Sequence, residues 1–155
     1  MIKLPKMQKN EIEELICSQT LCRIAFKGDE YPYLAPFQYV YMNRRLYFHF
    51  TDYGRKMKLL ERDKQACVEI EKYLSDLSEY SFVSITGKLK IVTDPRERSE
   101  VIKRMSNDGE QKLSKNFLAV HGLDKDGGWS SLSPDKPLVI VNLEEIMEEV
   151  GLKSP

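Results

Sequence analysis

The residues with the most chemical content lie together in Phe48-His49-Phe50-Thr51-Asp52-Tyr53-Gly54-Arg55-Lys56-Met57-Lys58. A strand hands a histidine and a threonine to a loop, and Gly54 then opens a helix with three cations in its first turn. Cations there oppose the helix dipole, which favours negative charge at that end. Unpaired N–H groups at a helix start, an arginine fork and a lysine point charge together suit a phosphate. The same residues read equally as a solvated basic turn paired with Glu61 and Asp63. His49, on the parity opposite Leu46, Phe48 and Phe50, is either a ligand contact or proton donor near that loop, or a half-exposed strand histidine.

A second candidate is Tyr31-Pro32-Tyr33-Leu34-Ala35-Pro36-Phe37-Gln38-Tyr39-Val40-Tyr41, in which five of 11 residues are aromatic. Such a ribbon can form a flat wall for a planar ligand. On the residues alone, packing across a β core is the stronger reading. Trp129, beside Gly127-Gly128 and Ser130-Ser131, can cap a ligand, meet a second subunit or anchor its loop. His121 has no evident partner and reads as structural. Nucleophile-elbow, P-loop and dinucleotide-fingerprint motifs are missing, so hydrolase and Rossmann mechanisms lack their parts.

These groups need elements to hold them. Asn10 with Glu13 three residues on predicts the start of a helix over about 10–18, with Ile12, Leu15 and Ile16 as its apolar stripe. Leu21–Phe26, Tyr31–Met42 and Arg45–Phe50 read as strands joined by short turns. Pro36 cannot donate to a ladder, so its strand must be an edge, bulged or bent there. A short helix follows from Gly54 to Arg62, then strands over Gln65–Leu74 and Tyr80–Val92, with Gly87 as a bulge or bend. Asp94-Pro95-x-Glu97 starts a further helix, lined by Val101, Ile102 and Met105. Weakly patterned chain extends from Asn107 to Asp135, within an excursion of helix and loop over about 94–135. A last strand occupies about 136–147. Six strands with hairpin-like links and two or three peripheral helices predict a mainly β domain over 1–155: a small antiparallel barrel.

Composition narrows the function classes. Lys plus Arg and Asp plus Glu number 24 each, which disfavours an extended grip on nucleic acid. An oligonucleotide-binding barrel using the aromatic strand is the competing reading that this balance counts against. The longest stretch free of charge, Tyr31–Asn43, is 13 residues, too short for a bilayer, which needs roughly 20. The N-terminus lacks the apolar core of a secretory signal. Cys17, Cys22 and Cys67 are odd in number without a C-x-x-C pair, which predicts reduced thiols in the cytoplasm. With two histidines, no metal site is expected.

Taken together, Glu30-Tyr31-Pro32-Tyr33-Leu34-Ala35-Pro36-Phe37-Gln38-Tyr39-Val40-Tyr41, Leu46-Tyr47-Phe48-His49 and Gly54-Arg55-Lys56 resemble the nitroimidazole-resistance (Nim-like) branch of the pyridoxamine 5′-phosphate oxidase-like flavoproteins. The likeness covers roughly residues 8–92, with a compatible strand near Leu138–Leu143. Glu30 stands where glycine is usual, and Arg55 where histidine is common. The resemblance implies a six-stranded split barrel that binds FMN (less expectedly FAD or haem) at the interface of a homodimer. It implies that Pro36, Phe37, Gln38, Tyr39, Val40 and Tyr41 run along the isoalloxazine through backbone contacts. His49, Thr51, Gly54, Arg55 and Lys56 would surround the phosphate or the nearby substrate space, with Trp129 as a further contact and His49 as the catalytic candidate. The implied chemistry is NAD(P)H-dependent reduction of a small acceptor, such as a nitroaromatic or quinone. The alternative is a non-catalytic flavin or haem carrier on the same barrel.

Overall fold

A sheet of six strands curls into a closed barrel in the computed structural model, which describes residues 1–155. In chain order the elements are α1 (Lys9–Ser18), β1 (Leu21–Phe26), β2 (Tyr33–Met42), β3 (Arg45–Phe50), α2 (Arg55–Arg62), β4 (Gln65–Tyr73), β5 (Tyr80–Ile91), α3 (Pro95–Lys112) and β6 (Val139–Lys153). The strands close in the order β1-β2-β3-β6-β5-β4, every pair antiparallel. The mainly β, six-stranded antiparallel barrel expected from the sequence is thus the observed fold. None of its helices is long and apolar enough to cross a membrane.

Alternation builds the interior. β1 turns Cys22, Ile24 and Phe26 inward, and β4 turns Ala66, Val68 and Ile70 inward. Phe37 and Phe50 stack at 5.0 Å between centroids, and Phe48 meets Phe37 edge-on at 6.1 Å. Ile12, Leu15 and Ile16 of α1, with Leu59 and Leu60 of α2, join the same cluster. A second core lies outside the barrel wall. There Val40 of β2, Tyr47 of β3 and Ile140 of β6 pack against Val101, Ile102 and Met105 of α3, and against Leu118, Trp129 and Leu132 beyond it.

Local signals explain several joints. Asn43 and Arg44 both take positive φ (51° and 61°), the backbone of a tight two-residue hairpin. Pro36 is tolerated because β3 pairs with β2 only from Tyr39 to Met42, leaving Pro36 with β1 alone as neighbour. The β5–β6 register shifts between Thr86 and Lys88, so Gly87 marks the expected irregularity. Asp94 accepts a hydrogen bond from Glu97 N at 2.9 Å and Pro95 leads α3, as the sequence predicts.

β2 starts at Tyr33 rather than Tyr31 and β6 at Val139 rather than about 136, and three further boundaries differ from expectation for a tertiary reason. Gln8 and Glu11, not Asn10 and Glu13, form the capping box of α1. Glu11 is fixed there by the Gln8 amide and by Lys153 of β6. α3 runs on through Gly109 to Lys112, because the Trp129 indole occupies the place a Cβ on Gly109 would need, 2.2 Å away. β6 continues past Met147 to Lys153, since β5 pairs with it as far as Ser81 while Glu145, Glu148 and Glu149 stay in solvent. Short 3₁₀ turns at Lys115–His121, Lys125–Gly127 and Trp129–Ser131 fill the segment between α3 and β6.

Candidate functional site

The loop between β3 and α2 is the electrostatic anomaly of the molecule. Gly54, at φ 91°, caps α2 without a side-chain hydrogen bond, and no acidic residue occupies the first turn. The Arg55 guanidinium lies 4.5 Å over the Tyr33 ring, and the Lys56 ammonium lies 4.5 Å over the Phe37 ring at the barrel mouth. Neither cation has a carboxylate within salt-bridge distance. Asp63, which the sequence offered as a partner, pairs with Lys27, while Asp29 takes Arg62. Lys56 is half-buried, and that burial holds its amine below its usual pKa. Thr51 shapes the loop by donating its hydroxyl to Tyr53 O at 2.8 Å.

Behind the loop lies a buried polar chain. His49 leaves the barrel interior as its parity predicts, yet it is only 6% exposed, because the Lys115–His121 turn covers it. His49 Nδ1 and His121 Nδ1 are 3.0 Å apart, with ring centroids 5.2 Å apart. His121 Nε2 meets Gln38 Oε1 at 2.8 Å, and Gln38 Nε2 donates to Met105 O at 3.0 Å. Burial, then the Lys56 and Arg98 charges, pushes His49 down to about 4. Burial, then His49 and Lys56, pushes His121 down to about 3. Both rings are therefore neutral at pH 7. His121, without an evident partner in the sequence, has two in the fold, His49 and Gln38.

The aromatic ribbon divides between the two cores. Phe37 and Tyr39 point into the barrel and Tyr41 is half-buried, while Gln38 and Val40 lie under α3. Leu34 and Pro36 remain open to solvent on the outer face. Trp129 is 1% exposed, wedged against Gly109 and edge-on to His121 at 5.9 Å, so within one chain it offers a ligand no surface. The structure thus gathers Thr51, Gly54, Arg55 and Lys56 in one loop, with His49 behind it. It adds His121 and the Gln38 side chain, which no local pattern announced: 72 residues separate the two histidines.

Comparison with known proteins places the chain in a family. Residues 8–122 match the family described as pyridoxamine 5′-phosphate oxidase. The chain belongs to that family. No curated protein matches the sequence. Solved structures that share the fold include a FAD-binding protein from Mesorhizobium loti, with TM-score 0.71 and 15% identity over 99% of this chain and 100% of that one. A candidate 5-nitroimidazole antibiotic resistance protein from Bacteroides thetaiotaomicron has TM-score 0.65 and 19% identity over 97% and 87%. A FAD- and haem-binding protein from Mycobacterium smegmatis has TM-score 0.67 and 11% identity over 95% and 71%. At these identities the likeness is one of architecture. This member of the pyridoxamine 5′-phosphate oxidase family carries the cationic loop at the end of β3, inside the matched region.

Proposed function

We propose that the protein binds FMN and works as a flavin-dependent oxidoreductase on small molecules. The observation that carries this reading is Lys56, a half-buried ammonium without a carboxylate, in the acid-free first turn of a helix. Lost hydration and the helix dipole both disfavour a cation there. A terminal phosphate would offset both, since the α2 N–H groups, Lys56 and the Arg55 fork converge on one loop. A phosphate monoester brings about −1.5 to −2 charges at pH 7, which suits two adjacent cations better than the singly charged phosphates of a dinucleotide. The family match and the flavin-binding proteins of the same fold support this choice.

When bound, the flavin supplies hydride and electron transfer. The chain holds the phosphate end through Gly54, Arg55 and Lys56, and its β2 backbone from Pro36 to Tyr41 lines the ring. His49 borders the space for the small molecules that react, NAD(P)H as donor and a nitroaromatic or quinone as acceptor. The functional unit is a homodimer. Leu34 (60% exposed), Met147 (83% exposed) and a cleft of about 620 Å³ along Ala25, Cys67 and Thr86 provide an apolar outer face for a second copy. Three free thiols suit a reducing, cytoplasmic setting.

Titration of flavin-free protein with FMN tests the reading. Losing one charge-assisted contact costs about 1.5–3 kcal/mol, or roughly 10- to 150-fold in Kd, and Lys56→Glu adds repulsion to that loss. The expected result is at least a hundredfold weaker FMN binding in Lys56→Glu, with thermal stability retained. Unchanged affinity overturns the phosphate assignment. NADH bleaching the bound flavin faster than free FMN separates an enzyme from a carrier.

A further inference from the structure

The buried polar chain has a direction, and its direction assigns protons. A backbone carbonyl only accepts, so the Gln38 atom facing Met105 O at 3.0 Å is the amide nitrogen. Gln38 therefore presents Oε1 to His121, and an oxygen that only accepts requires Nε2–H on His121 at 2.8 Å. A neutral imidazole carries one N–H, so His121 Nδ1 holds a lone pair. That lone pair faces His49 Nδ1 at 3.0 Å, which must then carry the proton. His49 Nε2 is left bare. It makes no hydrogen bond, and it is not sealed either: the buried side-chain polar atoms without partners are Trp129 Nε1 and Asn142 Oδ1.

We infer that His121 and Gln38 are positioning residues that hold His49 in its Nδ1–H form, so that Nε2 stands as a hydrogen-bond acceptor for a ligand group bearing an N–H or O–H. Packing fixes the device in place. Gly122, at φ 72°, brings the residue after His121 against Thr51 and Tyr53 of the cationic loop, where a Cβ would lie 3.3 Å and 3.4 Å from their side chains. Phe117 and Trp129 hold His121 edge-on at 6.0 and 5.9 Å. Burial keeps both rings neutral, and the charges bearing on the pair act the same way, Lys56 on both rings and Arg98 on His49.

This assignment narrows the substrate side of the proposed function. Nitro and quinone oxygens only accept, so they find no donor at His49 and must take one elsewhere, with Lys56 at hand. A hydroquinone, an alcohol, an amine or a flavin N–H meets the bare Nε2 directly. Calling that ligand a flavin or its reaction partner rests on the proposed function, whereas the tautomer does not.

Nitrogen NMR of the full chain, flavin-free and labelled with ¹⁵N-histidine, tests the inference on four ring nitrogens. At pH 7 the expected pattern is pyrrole-type Nδ1 and pyridine-type Nε2 for His49, and the reverse for His121. In His121→Phe the remaining ring loses its lock, and Nε2–H becomes its major form. If that variant does not fold, Gln38→Met carries the same test: with no acceptor for its Nε2–H, His121 no longer fixes His49, and His49 Nε2–H rises. A pyrrole-type Nε2 on His49 in the parent protein overturns the inference, and so does a tautomer unmoved in the folded variant. FMN titration of the same samples keeps the two readings apart. A wrong tautomer with FMN bound sinks only this inference, and a correct tautomer without FMN binding sinks only the flavin.

Discussion

The two cores of this protein are built on opposite terms. Inside the barrel, the cluster from Ile12 to Leu143 is apolar throughout, apart from the Tyr39 hydroxyl, which donates to Ile16 O. Outside, the layer under α3 mixes Val101, Ile102 and Trp129 with a buried histidine pair and a glutamine, and it leaves Trp129 Nε1 unpartnered. Buried polar groups cost stability unless they are hydrogen-bonded. The outer layer therefore gives up part of its burial energy to hold a defined polar chain beside the cationic loop. Stability resides chiefly within the barrel, while the buried polar chain and the cationic loop reside on its wall.

That division can be broken at several points. Phe48 is fully buried and touches Phe37, so Phe48→Ala should cost about 3–5 kcal/mol in chemical denaturation. A loss under ~1 kcal/mol would deny the interior its role. The histidine pair comes next. Its folded pKa values lie below the unfolded value, so its stabilisation is complete above pH 6.5 and drains away as pH falls toward about 4. The loss should be on the order of 2 kcal/mol per histidine by pH 5, or about 4 kcal/mol for the two protons taken up on unfolding. It should vanish from the His49→Gln, His121→Gln double variant, and a variant that loses as much stability as the parent between pH 7 and 5 would contradict the buried neutral pair.

Gly109 gives the smallest and sharpest contrast. Helix propensity alone predicts that Gly109→Ala gains about 1 kcal/mol. Overpacking against the Trp129 indole costs about 1–3 kcal/mol. The net expectation is a loss of about 1 kcal/mol, with Trp129 fluorescence shifted. A melting temperature above the parent's would show that the outer layer yields more easily than its packing implies.

Much of the barrel was legible because strands of period two announce themselves: Cys22, Ile24 and Phe26, or Ala66, Val68 and Ile70, alternate without interruption. The cationic first turn of α2 was equally visible, since charge against a dipole is a local conflict. What escaped was non-local. Asn10 looked like a cap because the partner that favours Glu11 lies at Lys153, across the chain. The helix past Asn107 was obscured by Gly109, whose reason is a tryptophan 20 positions on. His121 carries no signal in its own neighbourhood. Its meaning comes from Gln38 and His49, which the barrel brings to it.

The position of β6 bears on how the molecule assembles. The last strand in sequence is inserted between β3 and β5, so until Val139–Lys153 arrives, both of those strands carry bare edges. Exposed edges invite pairing with other chains, and closure must wait for contacts spanning most of the sequence, a slow kind of folding step. The nascent polypeptide is most vulnerable to sticking just before its final fifteen-residue strand slots into the gap and removes both edges at once.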